Sequence, residues 1–205
     1  MNPLLKYPGH RAILPPAYFG SVERYALMAA CGAVTVDVDR KFDKRLKSTH
    51  RCVIADTRGP LTLTVPIEKP RSFRNARWSD IVVSGHDDWP RLHVTALESA
   101  YGRTPFFEFY IDRFAPVIMS AIGRKLVEVD AELEALVMRA LGLSALTNPD
   151  LPELSLSFTA EPYWQVRADK LGFIPGLSIL DLLFNLGPEA PLYLKRIVNA
   201  AEISR

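Results

Sequence analysis

Residues 92–112 read LHVTALESAYGRTPFFEFYID and decide how the chain is organised. In the first half, apolar residues recur every four positions, which predicts a helix with two adjoining buried faces. Gly102 is a typical helix stop and Pro105 a favourable first-turn residue, so a second helix is predicted after a change of direction. The aromatic run that follows is typical of a buried elbow. The alternative is a pocket on this elbow, lined by Glu98, Tyr101 and Glu108.

The size and composition of the chain indicate one globular unit. It has 205 residues, of which 48% are hydrophobic, and this is enough for one sizeable core. We therefore predict a single domain over residues 1–205. The formal net charge of +2 argues against a nucleic-acid binder that relies on bulk charge, and leaves phosphorylated small molecules open.

The cysteines and the hydropathy pattern predict a cytoplasmic protein. Two cysteines, Cys31 and Cys52, make neither a zinc site by themselves nor a disulfide scaffold, which suits a reducing compartment. No stretch approaches the roughly 18–20 uninterrupted apolar residues of a membrane span. The N-terminus has no apolar segment behind a basic end, so no secretion signal is expected.

The N-terminal part of the chain shows an α/β pattern. The apolar run 11–14 predicts a strand, and Ser21 is predicted to cap a helix over 22–31 that Gly32 stops. Residues 33–39 alternate between apolar and polar, as a strand does. Strand, helix and strand in this order predict an α/β opening.

A β-hairpin is predicted from two apolar runs, 52–55 and 61–65, which flank a turn with Gly59 and Pro60. Basic segments lie on both sides of this hairpin. Because a guanidinium fork binds a phosphate or carboxylate at two points, these cations are expected to converge on an anion. The alternative is a solvated basic surface. The cations are Lys44, Lys47, Arg51, Arg74 and Arg77, and Phe73 and Trp78 lie among them.

The C-terminal half is predicted to be largely helical. One long helix or a broken pair extends to Leu141, and its acidic residues Glu128, Asp130, Glu132 and Glu134 are typical of a solvated face. Short strands are predicted over 81–83, 154–158 and 163–166, and later helices over 177–185 and 191–201. The fold class is therefore α/β or α+β, a single domain with a small mixed sheet, a β-hairpin and a helical C-terminal half.

Asp181 lies among apolar residues in the predicted helix 177–185. A carboxylate in such surroundings is costly unless it is hydrogen-bonded, so it must have a partner. That partner is either structural, such as a basic side chain or a loop backbone, or a ligand in a pocket. Gln165 and Asn185 are expected to join either network.

Two other kinds of site find little support. His50 and Cys52 would face the same way if extended, which permits a nucleophilic pair, although a small buried cysteine is the simpler interpretation. The four histidines are scattered without an i, i+4 pair, so no metal site is predicted. The sequence contains no phosphate-binding loop, nucleophile elbow or dinucleotide fingerprint, and it identifies no cofactor.

Several motifs together resemble the WbqC-like family of bacterial proteins over most of the chain. The last of them is the most specific. The motifs are LPPAYF at 14–19 with the helix around Tyr25, His50-Arg51-Cys52, LTVPI at 63–67, LESAY at 97–101, PFFE at 105–108, and FIPGLSILDLLFN at 173–185. The sequence departs from the family pattern at His50, where the family often has Asn, and is shortened before the last motif.

The resemblance implies a role with O-antigen and other surface polysaccharides, as a transferase that moves a glycyl or other acyl group to an amino sugar. Tyr18, Lys44, Arg51, Glu98, Tyr101 and Asp181 fall at the family's motif positions. On this hypothesis Arg51 and Lys44 hold an anionic part of a sugar nucleotide or activated acyl donor. Glu98 or His93 takes a proton from the acceptor amine, and Asp181 orients a partner. Tyr18, His50, Tyr101 and Gln165 complete the expected substrate-binding set.

Two further functions remain open at the level of sequence. The first is a non-catalytic protein that binds a sugar nucleotide or assembles with polysaccharide enzymes through the aromatic elbow. The second is an RNA-binding module that uses the basic segments and stacks bases on Phe73 and Trp78, with an affinity that falls steeply as salt is added. The near-balanced charge makes nucleic acid the less favoured partner.

Overall fold

A strand–helix–strand unit forms the N-terminal part of the computed structural model, which describes residues 4–70, 72, 74–144 and 146–203. β1 (Tyr7–Leu14) is followed by α1 (Val22–Ala30) and β2 (Cys31–Val36), and the two strands pair in parallel. Crossing through a helix is how neighbouring parallel strands are usually connected. The predicted α/β opening is confirmed.

Gly32 does not stop α1, as the sequence suggested, but lies inside β2. The pairing of β1 and β2 is irregular between Tyr7 and Arg11, and the Pro8 carbonyl approaches Gly32 closely there. A Cβ atom on residue 32 would collide with that carbonyl oxygen. Glycine is therefore required by the close approach of two backbones, and not by the end of a helix.

Gly32→Ala is expected to lower the free energy of unfolding by about 1–3 kcal/mol, because the added methyl group forces β1 and β2 apart. Gly9→Ala is the matched control in the same strand pair, since a Cβ at Gly9 meets nothing within 4 Å. That control is expected to change stability by less than about 0.5 kcal/mol. Urea denaturation measures both, and equal losses in the two variants would contradict the backbone-contact argument.

The predicted hairpin is present as β3 (Arg51–Asp56) and β4 (Gly59–Thr64). Its strands are antiparallel, with Arg51 opposite Thr64 at the open end and Asp56 opposite Gly59 at the turn. Gly59 has φ of 122°, a conformation that glycine adopts without strain. The open end of the hairpin faces the rest of the molecule and leads into the candidate site.

Helices make up most of the remaining chain, and the elbow at residues 102–106 separates the first two of them as predicted. The long helix predicted to reach Leu141 is a broken pair. The elements are α2 (Trp89–Tyr101), α3 (Phe107–Met119), α4 (Leu126–Ala140), α5 (Ala168–Leu171), α6 (Ile179–Leu186) and α7 (Ala190–Ala200), with β5 (Leu156–Ser157) paired antiparallel to β6 (Glu202–Ile203).

The α/β class with a hairpin and a helical C-terminal half is confirmed. Parallel and antiparallel pairings both occur, but they are distributed over three two-stranded sheets in the described part of the chain. Buried residues from all of the helices except α5 pack into one core with β1–β3, and its largest fully buried side chains include Trp78, Tyr18 and Tyr101. No helix among the described residues combines the length and the apolar character needed to cross a bilayer.

Two predicted strands do not form. Residues 81–83 make isolated bridges, Ile67 with Val83 and Val82 with Lys125, because each finds a different partner segment. Residues 163–166 form no strand either. Their polar groups are used in the interior instead, where Tyr163 and Gln165 donate hydrogen bonds to Asp181.

The acidic face predicted for α4 is only partly solvated. Glu128 and Glu132 are exposed, but Asp130 is 3% exposed and Glu134 forms an ion pair with the buried Arg24 of α1. The hydrophobic pattern of α4 did not reveal this, because α1 and the segment before it cover a stripe of the helix that contains two acids. The prediction of a solvated acidic face is wrong for these two residues.

Candidate functional site

The open end of the hairpin and the beginnings of α1 and α6 enclose a cavity of about 380 Å³, here called the hairpin pocket. Ser21 is the N-cap of α1 and Ser178 is the N-cap of α6, and the two residues form an antiparallel bridge. The positive ends of both helix dipoles therefore lie beside the pocket. Its lining residues are Phe19, Gly20, Ser21, Lys47, Ser48, Arg51, Cys52, Val53, Thr62, Gly176 and Ser178.

Unusual backbone conformations shape two edges of the hairpin pocket. Phe19 has φ of 45°, which is uncommon for a residue with a side chain, and Gly176 has φ of 70°. The Phe19 conformation is held because the Ser178 hydroxyl donates a hydrogen bond to the Phe19 carbonyl at 2.8 Å and the Phe19 ring is buried. Strained conformations that the surroundings enforce are concentrated at functional sites.

Lys47 and Arg51 supply the charge of the hairpin pocket. Among the described residues that line it, two are cationic and none is acidic. The Arg51 side chain is half-buried, and its Nε atom is buried without a hydrogen-bond partner in the described part of the chain. A buried N–H without a partner is unfavourable, and a phosphate or carboxylate oxygen would satisfy it. The pocket is thus built to accept an anion.

The two basic segments meet, but their cations do not converge on one site. Backbone hydrogen bonds join Phe42 to Ala76 and Trp78 to Arg40. Arg74 and Arg77 line a separate cavity of about 430 Å³, which Lys41 and Asp39 share, whereas Lys47 and Arg51 line the hairpin pocket. Phe73 lies outside the described residues, and Trp78 is fully buried, so Trp78 offers no surface for stacking a base.

Asp181 accepts three side-chain hydrogen bonds in the interior. Tyr101 donates to Oδ1 at 2.8 Å, and Tyr163 and Gln165 donate to Oδ2 at 2.6 and 3.1 Å. Burial raises the pKa of Asp181, and these hydrogen bonds oppose the rise. The Tyr101 hydroxyl also accepts the Ala55 N–H at 2.9 Å, so the network connects the hairpin to α6. Three of the predicted site residues are therefore brought together.

The partners of Asp181 are structural rather than open to a pocket. Gln165 is also held by the backbone of Ile174 through both ends of its amide group. Asn185 bonds the Asp181 carbonyl and accepts the Val166 N–H, so it fixes the same loop. Asp181, Tyr101 and Gln165 are all nearly inaccessible to solvent. This network holds the segment before α6 against the core and so positions Gly176 and Ser178 at the hairpin pocket.

Tyr18 and His93 form a second buried pair. The Tyr18 hydroxyl lies 2.9 Å from His93 Nδ1, and the Trp89 ring packs edge-on against the imidazole. Burial lowers the pKa of His93 from its ordinary value of 6.5 to about 4, although a hydrogen bond to the Thr64 backbone opposes this. A neutral, enclosed imidazole is poorly suited to receive a proton from a substrate at neutral pH.

His93 is expected to make the protein acid-sensitive. Because its folded pKa lies below the unfolded value, its contribution is intact above pH 6.5 and is lost as the pH falls towards 4, where the unfolded chain takes up the proton first. The loss amounts to as much as about 3 kcal/mol. Wild type should therefore lose more stability than His93→Gln across this window in urea denaturation at several pH values.

The exposed His86→Gln is the matched control and should follow wild type. Asp130 and Asp181 act in the opposite direction, because their pKa values are raised on folding. The comparison between variants removes their contribution, since they are present in each. Parallel pH profiles for wild type and His93→Gln would show that His93 takes up its proton without unfolding the protein.

The remaining predicted residues lie apart from these groups. Glu98 is on the exposed face of α2, five residues from His93, and is not among the lining residues of the hairpin pocket. Lys44 is exposed in the loop before β3, and it does not line that pocket either. His50 precedes β3 and bonds the Val65 carbonyl through Nδ1 at 3.1 Å. Their catalytic and substrate-binding roles stay predictions.

The structure does not favour the nucleophilic pair of His50 and Cys52. Burial raises the pKa of the Cys52 thiol, so the reactive thiolate is disfavoured. The His50 backbone is not extended, and its Nδ1 atom is engaged by Val65. Cys52 is a small buried strand residue at one wall of the hairpin pocket.

Sequence reasoning missed several residues of the hairpin pocket. Ser178 and Asp181 have the spacing of a capping box, which would have indicated that α6 begins after Ser178. Ser178 does cap the helix by accepting the Leu180 N–H, while Asp181 turns inward to the tyrosines. Ser21 was expected to cap α1, yet its side chain makes no capping hydrogen bond. No local signal distinguishes Thr62 or Ser48.

Comparison with known proteins gives one family and one distant relative. A model described as the WbqC-like protein family matches residues 16–150, roughly two thirds of the chain. A protein of Mycobacterium tuberculosis named "Uncharacterized protein Rv1507c" is 27% identical over 199 residues, which cover 77% of this chain and 85% of that protein. No solved structure gives a significant match. The relative's name states no activity.

Proposed function

We propose, from the premise that this chain belongs to the WbqC-like protein family, that the hairpin pocket binds the anionic part of an activated donor. The donor class is a sugar nucleotide or an activated acyl compound. The reaction we propose is transfer of a glycyl or other acyl group to an amino sugar of a surface polysaccharide. The observation that carries the donor site is the buried, unpartnered Nε atom of Arg51 in a pocket with two cations and no acid among its described lining residues.

Arg51 is the residue best placed to bind the donor. Its guanidinium offers five N–H donors in a planar fork that matches two oxygens of a phosphate or carboxylate. Lys47 contributes a second positive charge from the turn before β3. The dipoles of α1 and α6 add partial positive charge at the same place, so all the electrostatic terms of the pocket favour an anion.

The hydroxyl groups around Arg51 support recognition of a polyoxygenated ligand. Ser21, Ser48 and Thr62 line the hairpin pocket, and each hydroxyl both donates and accepts hydrogen bonds. Ser48 is exposed at the rim, while Ser21 is half-buried. A phosphate or an acyl carboxylate at Arg51 would therefore place a neighbouring sugar or acyl chain among hydrogen-bonding groups.

The transfer step rests on the family resemblance more than on the pocket. Among the described lining residues, none is a carboxylate or an imidazole that would take the proton of an acceptor amine. Glu98 keeps the role of proposed base because it falls at a family motif position, although it is exposed on α2. His93 and Asp181 are enclosed by protein and act on substrate only through the groups that they hold.

The proposed function is tested by mass spectrometry of the surface polysaccharide from a strain that lacks this gene. The gene is restored as wild type, as Arg51→Ala or as Arg58→Ala, which removes a cation from the exposed turn of the same hairpin. We expect a glycyl or acyl substituent to disappear on deletion and to return with wild type and Arg58→Ala but not with Arg51→Ala. An unchanged polysaccharide in the deleted strain would overturn the transferase assignment.

Glu98→Gln separates catalysis from binding. If Glu98 is the general base, turnover of the purified protein should fall by on the order of 10²- to 10⁴-fold, while donor affinity stays within about twofold of wild type. The exposed Glu128→Gln on α4 is the control and should retain full turnover. Unchanged turnover in Glu98→Gln would remove that residue from the mechanism without affecting the donor site.

A second candidate function, assembly with another protein, is favoured by the surface at the aromatic elbow. Phe109 is 70% exposed, and with Phe106 and Tyr110 it lines a cavity of about 320 Å³ that also contains Arg113 and Arg139. An apolar patch rimmed by two cations suits an acidic partner with an apolar anchor. Phe109→Asp should abolish co-purification of such a partner and leave donor binding intact.

A further inference from the structure

Asp130 in α4 is a buried carboxyl group without a partner. It is 3% exposed, and neither of its two oxygens makes a hydrogen bond within the described part of the chain. Most buried polar groups in proteins have a partner, because a buried group without one loses the hydrogen bonds that water gave it. An orphaned carboxyl therefore requires an explanation, and the Asp181 network shows how this same chain satisfies a carboxyl that serves structure.

Asp130 lines a small cavity that is otherwise largely apolar, here called the Asp130 pocket. Its volume is about 60 Å³, which exceeds the roughly 10–15 Å³ that one water molecule requires. It lies on the other side of Tyr18 in sequence from the residues of the hairpin pocket. The lining residues are Pro16, Ala17, Val36, Val38, Val127, Asp130, Ala131 and Glu134.

The local charges do not balance. Arg24 donates to Glu134 Oε2 from Nε at 3.0 Å and from Nη2 at 2.7 Å, and to the Pro15 carbonyl from Nη1 at 2.6 Å. This guanidinium is therefore committed to Glu134, and no hydrogen bond from it to Asp130 is formed. Two carboxyl groups face one cation, so the cavity lacks one positive charge.

The surroundings favour an organic cation over a metal ion. A hard metal ion needs about six oxygen ligands, and the Asp130 pocket offers carboxyl groups on only one side and aliphatic side chains elsewhere. The described residues contain no group of three or more His, Cys, Asp or Glu side chains arranged to hold a metal. A primary ammonium on a short alkyl chain needs a few acceptors and apolar contact, and the lining supplies both.

We propose that the Asp130 pocket binds the ammonium group of a small primary alkylamine, with Asp130 as its counter-ion. This inference does not depend on the proposed function, because it uses a different cavity and a different charge. Val36, Val38 and Val127 contact the alkyl carbon, and the volume limits the chain to one or two carbons. Glu134 keeps its ion pair with Arg24 and closes one side.

Binding is expected to release a proton. Burial raises the pKa of Asp130 well above its ordinary value, the neighbouring Glu134 raises it further, and Arg24 opposes this. Tyr18, Tyr25 and Cys52 also face Asp130, and burial raises their pKa values, so they stay neutral across the relevant range. The empty pocket holds a neutral carboxyl group, which must ionise when the ammonium enters. Affinity therefore rises by as much as about tenfold for each unit of pH until Asp130 is ionised without ligand.

The test is thermal denaturation of the full chain with methylammonium chloride, against sodium chloride, potassium chloride and tetramethylammonium chloride at equal ionic strength. We expect methylammonium to raise the Tm of wild type, more at pH 8 than at pH 6, because a ligand that binds only the folded state stabilises it. Tetramethylammonium has no N–H donor and is too large for the pocket. Equal shifts with all four salts would overturn the proposal.

Two variants and one control locate the effect. Asp130→Asn keeps the shape and removes the charge, and Ala131→Leu fills the pocket without touching the carboxyl group, so both should lose the methylammonium shift. Glu128→Gln, on the exposed face of the same helix, should retain it. If Asp130→Asn does not fold, Ala131→Leu decides the question alone. A shift that persists in whichever pocket variants fold would exclude this site.

Discussion

Arg51→Ala is expected to weaken the binding of inorganic pyrophosphate by about 10- to 150-fold, because a hydrogen bond to a charged group contributes roughly 1.5–3 kcal/mol. Pyrophosphate is the probe because it carries the charge of a nucleotide-linked donor without the sugar. Arg51 is the cation in the hairpin pocket whose Nε is buried and unpaired, so its loss removes both charge and a fixed donor. Isothermal titration calorimetry at constant ionic strength gives the dissociation constants.

Two further variants separate the guanidinium fork from general charge. Arg51→Lys keeps the charge but not the planar fork, so it should recover only part of the affinity. Arg58→Ala changes the net charge by the same amount at the exposed turn of the hairpin and should bind within about twofold of wild type, since exposed charges at a distance are screened. Equal losses in Arg51→Ala and Arg58→Ala would mean that the protein attracts pyrophosphate by its overall charge.

Asp181→Ala is expected to lower the free energy of unfolding by about 3–5 kcal/mol. The substitution leaves the hydroxyl groups of Tyr101 and Tyr163 and the amide of Gln165 without their acceptor, and each unsatisfied buried group costs roughly 1–3 kcal/mol. Since domains of this kind have total stabilities of about 5–15 kcal/mol, the loss is a large fraction. Urea denaturation measures it.

The controls for Asp181 distinguish its hydrogen bonds from its position. Asp181 lies in the first turn of α6, where a negative charge is favourable by about 0.3–1 kcal/mol. Glu108→Ala removes an exposed acid from the first turn of α3 and measures that smaller effect. Asp181→Asn retains one acceptor and should fall between the two. A loss in Asp181→Ala no greater than in Glu108→Ala would show that the network contributes nothing.

The elements that sequence predicted best are those specified by local pattern. The hairpin follows from two apolar runs around Gly59, and the elbow after α2 follows from Gly102 and Pro105, so both could be placed without tertiary information. The segment at Tyr163 failed because its alternation suggested a strand, whereas its polar groups are satisfied by Asp181 and Asn185. Long-range hydrogen bonds are invisible to a pattern read over a few residues.

The candidate site shows the same division. Arg51 and Asp181 were predicted because their residue types are unusual in their surroundings. Their separation into a pocket and an interior network depends on how α6 packs on the hairpin. The basic segments were expected to converge, and they do touch, but β-bridge formation between Lys41 and Arg77 directs Arg74 and Arg77 to a different cavity.

Asp130 was missed for a related reason. A charged residue in an acidic run on a helix is usually solvated, and the four acids of α4 satisfy that expectation in sequence. Which of them is covered depends on where α1 and the strand β2 lie, and that is decided by the parallel pairing of β1 and β2.

The bridge between Ser21 and Ser178 has a consequence for synthesis of the protein. Residues separated by more than 150 positions form the two sides of the hairpin pocket, and the Ser178 hydroxyl holds the strained turn at Phe19. During translation, the hairpin and α1 leave the ribosome long before Ser178 does. A growing chain therefore exposes Arg51 without an enclosing wall, and ligand affinity arises only when the last part of the polypeptide has been made.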